Sequence, residues 1–186
     1  QMLERLNTDA GIANLLRSWL HIDNHDTPRA ANVVADRSLR KLAQALLFTL
    51  PGSPVIYYGS ELGMTGANDP EDRAPMRWEL ANDTNSDLKW VRQLTTIRKA
   101  HPALRYGDFH ALDTDGLFAF IRTTDKLGQT VLVVVNPANE TVRETFATRV
   151  GRILSWGQLQ DVLTGDKITS KKGLVTVEMQ ARSVRI

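Results

Sequence analysis

The period of the hydrophobic pattern changes once along this chain, near Pro102, and that change limits the folds open to it. Before Pro102, helical spacing alternates with short apolar runs. From Asp36 onward, Leu39, Leu42, Ala43, Leu46, Leu47 and Leu50 recur on one helical face, with Asp36 as a plausible N-cap and Pro51-Gly52 as the stop. The run SPVIYYG, residues 53–59, is β-branched and aromatic between turn residues and predicts a buried strand. A second amphipathic helix is expected over SDLKWVRQLTTIRKA, capped by Ser86 or Asp87, with Trp90, Val91, Leu94 and Ile97 inward. Residues 1–17 predict a broken helix, interrupted by Asn7, Asp9 and Gly11, and residues 19–23 a short buried strand.

After Pro102 the runs shorten. LFAFIR, TVLVVV, RILSW, LVTVEM and SVRI are strand candidates divided by Asp-Gly, Asn-Pro and Thr-Gly turns. In LVTVEM, Val175, Val177 and Met179 alternate with Thr176 and Glu178, the period of a strand buried on one face. The fold class expected is therefore α/β plus all-β. A helix–strand alternation characteristic of a parallel sheet occupies residues 1–104, and an antiparallel β-domain occupies residues 105–186.

Composition narrows the function classes. The 186 residues carry a net charge of +2 with no long basic stripe, so nothing argues for a nucleic-acid partner. No apolar run approaches the roughly 20 residues of a membrane span. No cysteine is present, which excludes disulfides and thiolate metal sites. No leader is visible behind Gln1, and the compartment, cytoplasmic or periplasmic, is left open.

Functional groups in parallel α/β folds collect at the carboxyl ends of strands. The apolar run Trp19, Leu20 and Ile22 ends in Asp23, Asn24, His25 and Asp26. The long loop after VIYYG, containing GANDPEDRAPMRW, is expected on the same face, and loops of that length are usually functional or disordered. DNHD also suits Asx-turns and helix caps. A metal site from Asp23, His25 and Asp26 is disfavoured, because adjacent residues rarely converge on one ion. Of Tyr57 and Tyr58, one is expected in the core and one toward the site. Trp19, Trp90 and Trp156 are expected to pack, while Trp78 is left undecided.

These residues resemble the α-amylase family of glycoside hydrolases. HIDNHDTPR is similar to the family's seventh-strand motif, and GSPVIYYGSELGM to its eighth strand and the loop after it. DPEDRAPMRWE resembles the next loop, particularly among neopullulanase, cyclomaltodextrinase and maltogenic-amylase relatives. IRKAHPALRYG resembles the close of the last barrel helix and the entry to the C-terminal β-domain. The resemblance implies that residues 1–104 are the last part of a catalytic (β/α)8 TIM barrel, strands 7 and 8 with their helices. Residues 105–186 would be an antiparallel β-sandwich.

The resemblance also implies a chemistry. Retaining glycosidases use a nucleophile and an acid/base around an oxocarbenium-like transition state. The family adds a third carboxylate, an Asp preceded by His. By that match Asp26 is the transition-state stabiliser and His25 bonds the same sugar, while Asp69 and Arg73 are substrate-binding candidates. For Asp69 and Arg73 a loop-stabilising ion pair is an equal alternative. Arg29 follows a common variant of the motif and receives no role.

No segment resembles the family's nucleophile or acid. The expectation is a fragment of a retaining hydrolase of α-1,4-linked glucans or cyclodextrins, inactive alone. The alternative is a non-catalytic carbohydrate-binding or accessory protein on the same fold. The implied partner is an α-glucan oligosaccharide, with self-association through the incomplete barrel. No cofactor or metal is expected in this stretch, and calcium is left to other parts of the parent.

Overall fold

Helix α4, Arg37–Thr49, forms where the leucine face predicts it, and the Asp36 side chain caps it by accepting from the Ser38 and Leu39 amides. The structure, a computed structural model, describes residues 2–126, 128–148 and 157–186. Leu42 and Leu47 of the predicted face are buried, as are Ala45 and Phe48, so the buried stripe is wider than the leucines alone suggest. The broken N-terminal helix is α1, Met2–Ala10, and α2, Ile12–Arg17, divided at Gly11 with φ 77°. Short α3, Ala30–Val33, precedes α4.

Helix α5, Ser86–Ala100, buries Val91, Leu94 and Ile97 as expected, with Trp90 packed beside them. Its cap is Asn85 rather than Ser86 or Asp87. The Asn85 carboxamide oxygen accepts from the Asp87 and Leu88 amides, which leaves Ser86 and Asp87 inside the first turn. Helix α6, Pro102–Tyr106, follows directly.

The two strands expected in the first half are much shorter than the apolar runs. Strand β1 is Trp19–Leu20 and β2 is Ser53–Pro54, paired in parallel with Trp19 opposite Ser53. The Val55 amide still donates to Leu20 O, but there the ladder ends, and the Tyr58 carbonyl is taken by the Arg29 side chain. Val55 and Ile56 are accordingly exposed. Trp19 does not pack: it is 78% exposed, because Leu20 takes the core side of β1 and alternation turns Trp19 away.

The described strands of the second half form two antiparallel sheets. The first has the order β10 (Ser183–Arg185), β5 (Thr130–Asn136), β4 (Phe118–Thr123), β3 (Asp108–Ala111). The second runs β6 (Val142–Ala147), β9 (Leu174–Met179), β8 (Lys167–Lys171), β7 (Gln158–Gln160). The expected alternation in β9 is present, with Val175, Val177 and Met179 buried. The candidate RILSW, with Trp156, lies outside the described residues.

The first sheet is a middle layer. Phe109, Phe120, Val131, Val133 and Val135 share one hydrophobic cluster with Leu42, Phe48, Leu94, Ile97 and Leu104 of the helices. From its other face, Leu117, Ala119 and Val134 join Phe146, Val175, Val177 and Met179 of the second sheet. Strand β5 is therefore buried on both sides, which explains its unbroken apolar run. No described helix is long and apolar enough to cross a membrane.

Candidate active site

Strands β1 and β2 run parallel, so the segments leaving them depart from the same end. The Ser53 amide donates to Ser18 O at 2.8 Å and the Val55 amide to Leu20 O at 2.7 Å, which fixes the two departure points side by side. Residues 21–29 form one segment. The other runs from Val55 to Asn85 and is ordered by short 3₁₀ turns at Ser60–Leu62, Glu71–Arg73 and Trp78–Leu80.

Asp23 and Asn24 build the first segment. Asp23 is buried, and its carboxylate accepts from the Ala30 amide at 2.8 Å and from the Ser60 hydroxyl at 2.8 and 2.9 Å. It holds the start of α3 against the turn after β2. The Asn24 side-chain oxygen accepts from the Asp26 amide at 2.8 Å, an Asx-turn. Asp23 and Asn24 thus do the cap and turn work such residues commonly do, and His25 and Asp26 project outward, with side chains 61% and 68% exposed. Asp23 is engaged beneath the surface, away from any joint ligation with them. Among the described residues no group of three or more His, Cys, Asp or Glu could hold a metal ion.

The second segment folds back over the first. The Tyr57 hydroxyl donates to Asp72 O at 3.3 Å and the Tyr58 hydroxyl to Ala74 O at 2.7 Å. The Gly66 amide donates to the Asn32 side chain at 3.0 Å, and the Arg29 amide to Gly66 O at 2.9 Å. A Cβ on Gly66 would stand 2.5 Å from Glu71 O and 2.8 Å from Asp72 Cα, so glycine is required for this close approach. Both tyrosines serve the loop: Tyr57 is half-buried and Tyr58 exposed. Desolvation raises the Tyr57 phenol above its usual 10, so it remains a neutral donor.

All four residues singled out from the sequence come together. Arg73 Nη2 lies 3.1 Å from Asp26 Oδ1, and His25 Nε2 lies 3.3 Å from Asp26 Oδ2. Arg73 Nε is 3.9 Å from Asp69 Oδ2. The result is an exposed carboxylate bracketed by an imidazole and a guanidinium, with a second carboxylate behind the guanidinium. Such a group can bond several hydroxyls of one polyol and set a negative charge beside a reacting centre. Trp78 stands exposed on the same loop. The spacing of DNHD gave no sign that Ser60, on the other loop, is the partner of Asp23. Nor did it mark Arg29 as the most deeply placed cation of the site.

Comparison with known proteins gives a consistent set. Residues 2–86 match the family model described as alpha amylase, catalytic domain. A cyclomaltodextrinase of Geobacillus thermopakistaniensis is 35% identical over 85% of this chain and 26% of its own length. Neopullulanase 2 of Thermoactinomyces vulgaris is 32% identical over 87% of this chain and 28% of its own. The crystal structure of the Geobacillus thermoleovorans alpha-amylase complexed with acarbose superposes with a TM-score of 0.81 at 25% identity, covering 99% of this chain and 41% of that one. The chain spans about a quarter of the length of the curated relatives it matches.

Proposed function

We propose, from the premise that residues 2–86 of this chain belong to the alpha-amylase family, that it supplies one wall of the active site of a retaining hydrolase of α-1,4-linked glucans or cyclodextrins. In this reading β1 and β2 are the last two strands of a (β/α)8 barrel and residues 1–104 are the end of the catalytic domain. Residues 105–186 are a β-sandwich that follows it. The observation that carries the proposal is the Asp26–Arg73 bridge at 3.1 Å, which joins the loops after two adjacent parallel strands.

Each residue then has a role. Retaining cleavage needs one carboxylate to attack the anomeric carbon and one carboxylic acid to protonate the leaving oxygen, about 5 Å apart. Asp26 does neither. Its carboxylate accepts sugar hydroxyls and faces the positive charge that develops on the ring. His25 donates to the same sugar, and Arg73 with Asp69 forms the rim that receives the neighbouring glucose unit. The nucleophile and the acid come from the rest of a longer protein. The acarbose-bound relative supports an oligosaccharide as the ligand class.

The test is Asp26→Asn in the full-length protein. The expected loss is about 100-fold or more in kcat. Parental turnover in a folded variant would remove Asp26 from the mechanism. Sugar binding without turnover in the parent would favour a non-catalytic binding protein. The 186-residue chain alone is expected to release no reducing ends from maltooligosaccharides or β-cyclodextrin.

A further inference from the structure

Two buried residues of opposite charge, one on each of the loops that carry Asp26 and Arg73, are not used by the proposed mechanism. Arg29, three residues after Asp26, is fully buried. Its Nη1 donates to Tyr58 O at 2.6 Å, and its guanidinium carbon sits 4.7 Å from the ring centres of both Tyr57 and Tyr58. Its Nε and Nη2 are buried without a hydrogen-bond partner. Asp72, the residue before Arg73, is 2% exposed, and its Oδ1 is likewise buried and unpartnered.

Two contacts tie these groups to the same neighbours. Tyr57, which Arg29 covers, donates its hydroxyl to Asp72 O. Gly66, whose carbonyl accepts from the Arg29 amide, leaves no room for a Cβ, which would stand 2.8 Å from Asp72 Cα. A buried arginine without a carboxylate in direct contact is uncommon, because the desolvation cost is large unless another charge offsets it. The position of Arg29 is nevertheless tightly fixed. Gly59 has φ 84°, and a Cβ there would come within 3.1 Å of Arg29 Nη1.

We propose that Arg29 and Asp72 are a positioning pair: buried opposite charges that lock the two loops together and so hold Asp26 and Arg73 in register. Arg29 is the next charged residue along the chain after Asp26, and Asp72 directly precedes Arg73, so displacement of either inner group moves an outer one. Neither touches substrate. The proposal rests on the reading of Asp26 as the charge-stabilising carboxylate, and its test separates the two.

In the full-length protein, Arg29→Met is expected to lower kcat about 100-fold, the loss that a 1 Å misplacement can cause, with KM changed by less than about 3-fold. Arg29→Lys, which keeps the charge, is expected to recover part of the loss, and Arg29→Met with Asp72→Asn to be no worse than Arg29→Met alone. In the 186-residue chain, where no turnover is involved, Arg29→Met and Asp72→Asn should shift the amide NMR signals of His25, Asp26 and Thr27 alike. Unshifted signals, additive losses in the double variant, or parental kcat in folded Arg29→Met would each overturn the pairing. Parental kcat in Asp26→Asn with the NMR shifts present would instead defeat the catalytic reading and leave the pair standing.

Discussion

Arg122 of β4 donates to Thr49 O at 2.7 Å, joining the last residue of α4 to a strand 73 positions later. The same guanidinium also reaches Leu104 O, Gly107 O and Asp108 O. Nearby Arg98 of α5 donates to Phe48 O and Gly52 O. Helix ends leave carbonyls unpaired, and here two buried arginines from other elements take them. Burial, then the Arg98 charge, pushes Arg122 down to about 9, which still leaves it a charged donor at neutral pH. The junction between helices and first sheet thus carries a buried polar cluster beside its apolar core.

Arg122→Met is therefore expected to be costly, since it strands buried carbonyls on both sides of that junction. A loss of about 3 kcal/mol is the right order for several unpaired acceptors. Urea unfolding measures it. A loss below about 1 kcal/mol would mean that other donors or solvent reach those oxygens.

His101, between α5 and α6, is held below its ordinary 6.5 by burial. A lowered histidine binds its proton less readily in the folded state than in the unfolded one. Stability is then unaffected well above 6.5 and falls as pH drops below 6.5, levelling once the folded value is passed. Melting temperature measured from pH 7.5 to 5 should show that decline, and His101→Gln should flatten it.

Asp23→Ala removes the acceptor shared by the Ala30 amide and the Ser60 hydroxyl. The loop bearing Asp26 should loosen before the rest of the chain. Hydrogen exchange at Ala30 should speed up by about 10-fold or more, the equivalent of roughly 1.4 kcal/mol of local opening. Ser60→Ala should show a smaller change in the same direction.

Arg73→Gln separates the two roles left open for Arg73 and Asp69. The ion pairs it makes are exposed and screened, so unfolding free energy should change by less than about 1 kcal/mol. Under the proposed function, the oligosaccharide affinity of the full-length protein should fall several-fold while stability stays within that limit. Calorimetric binding beside thermal unfolding decides between rim contact and loop brace.

Much of this fold could be seen in the residues themselves where one face of an element is apolar and its cap is local. Asp36 and the leucines of α4 are such a case. Strand β6 was hidden because its inward positions run Val142, Glu144, Phe146. The charge in the middle is spent on the Asp115, Gly116 and Leu117 amides, a long-range use no local pattern announces. Helix α6 was masked by Pro102, which reads as a breaker but fits the first turn of a helix. In the site, His25, Asp26, Asp69 and Arg73 meet because adjacent parallel strands bring their loops together. Arg29 looks like any surface cation in sequence. Its burial comes from Tyr57, Tyr58 and Gly59 far along the chain.

The two-sided burial of β5 has a consequence for how this chain can vary. Val131, Val133 and Val135 serve the helices, while Leu132 and Val134 serve the second sheet. Insertion or deletion of a single residue inside Thr130–Asn136 would exchange the two inventories along the rest of the strand. Each core would then receive side chains shaped for the other. Length changes in this region are tolerable only where the count can slip without rotation of the strand, at the turn before Thr130. The spacing from Thr130 to the Asn136 side chain, which anchors Glu140, Met179 and Gln180 carbonyls, is a fixed ruler of the architecture.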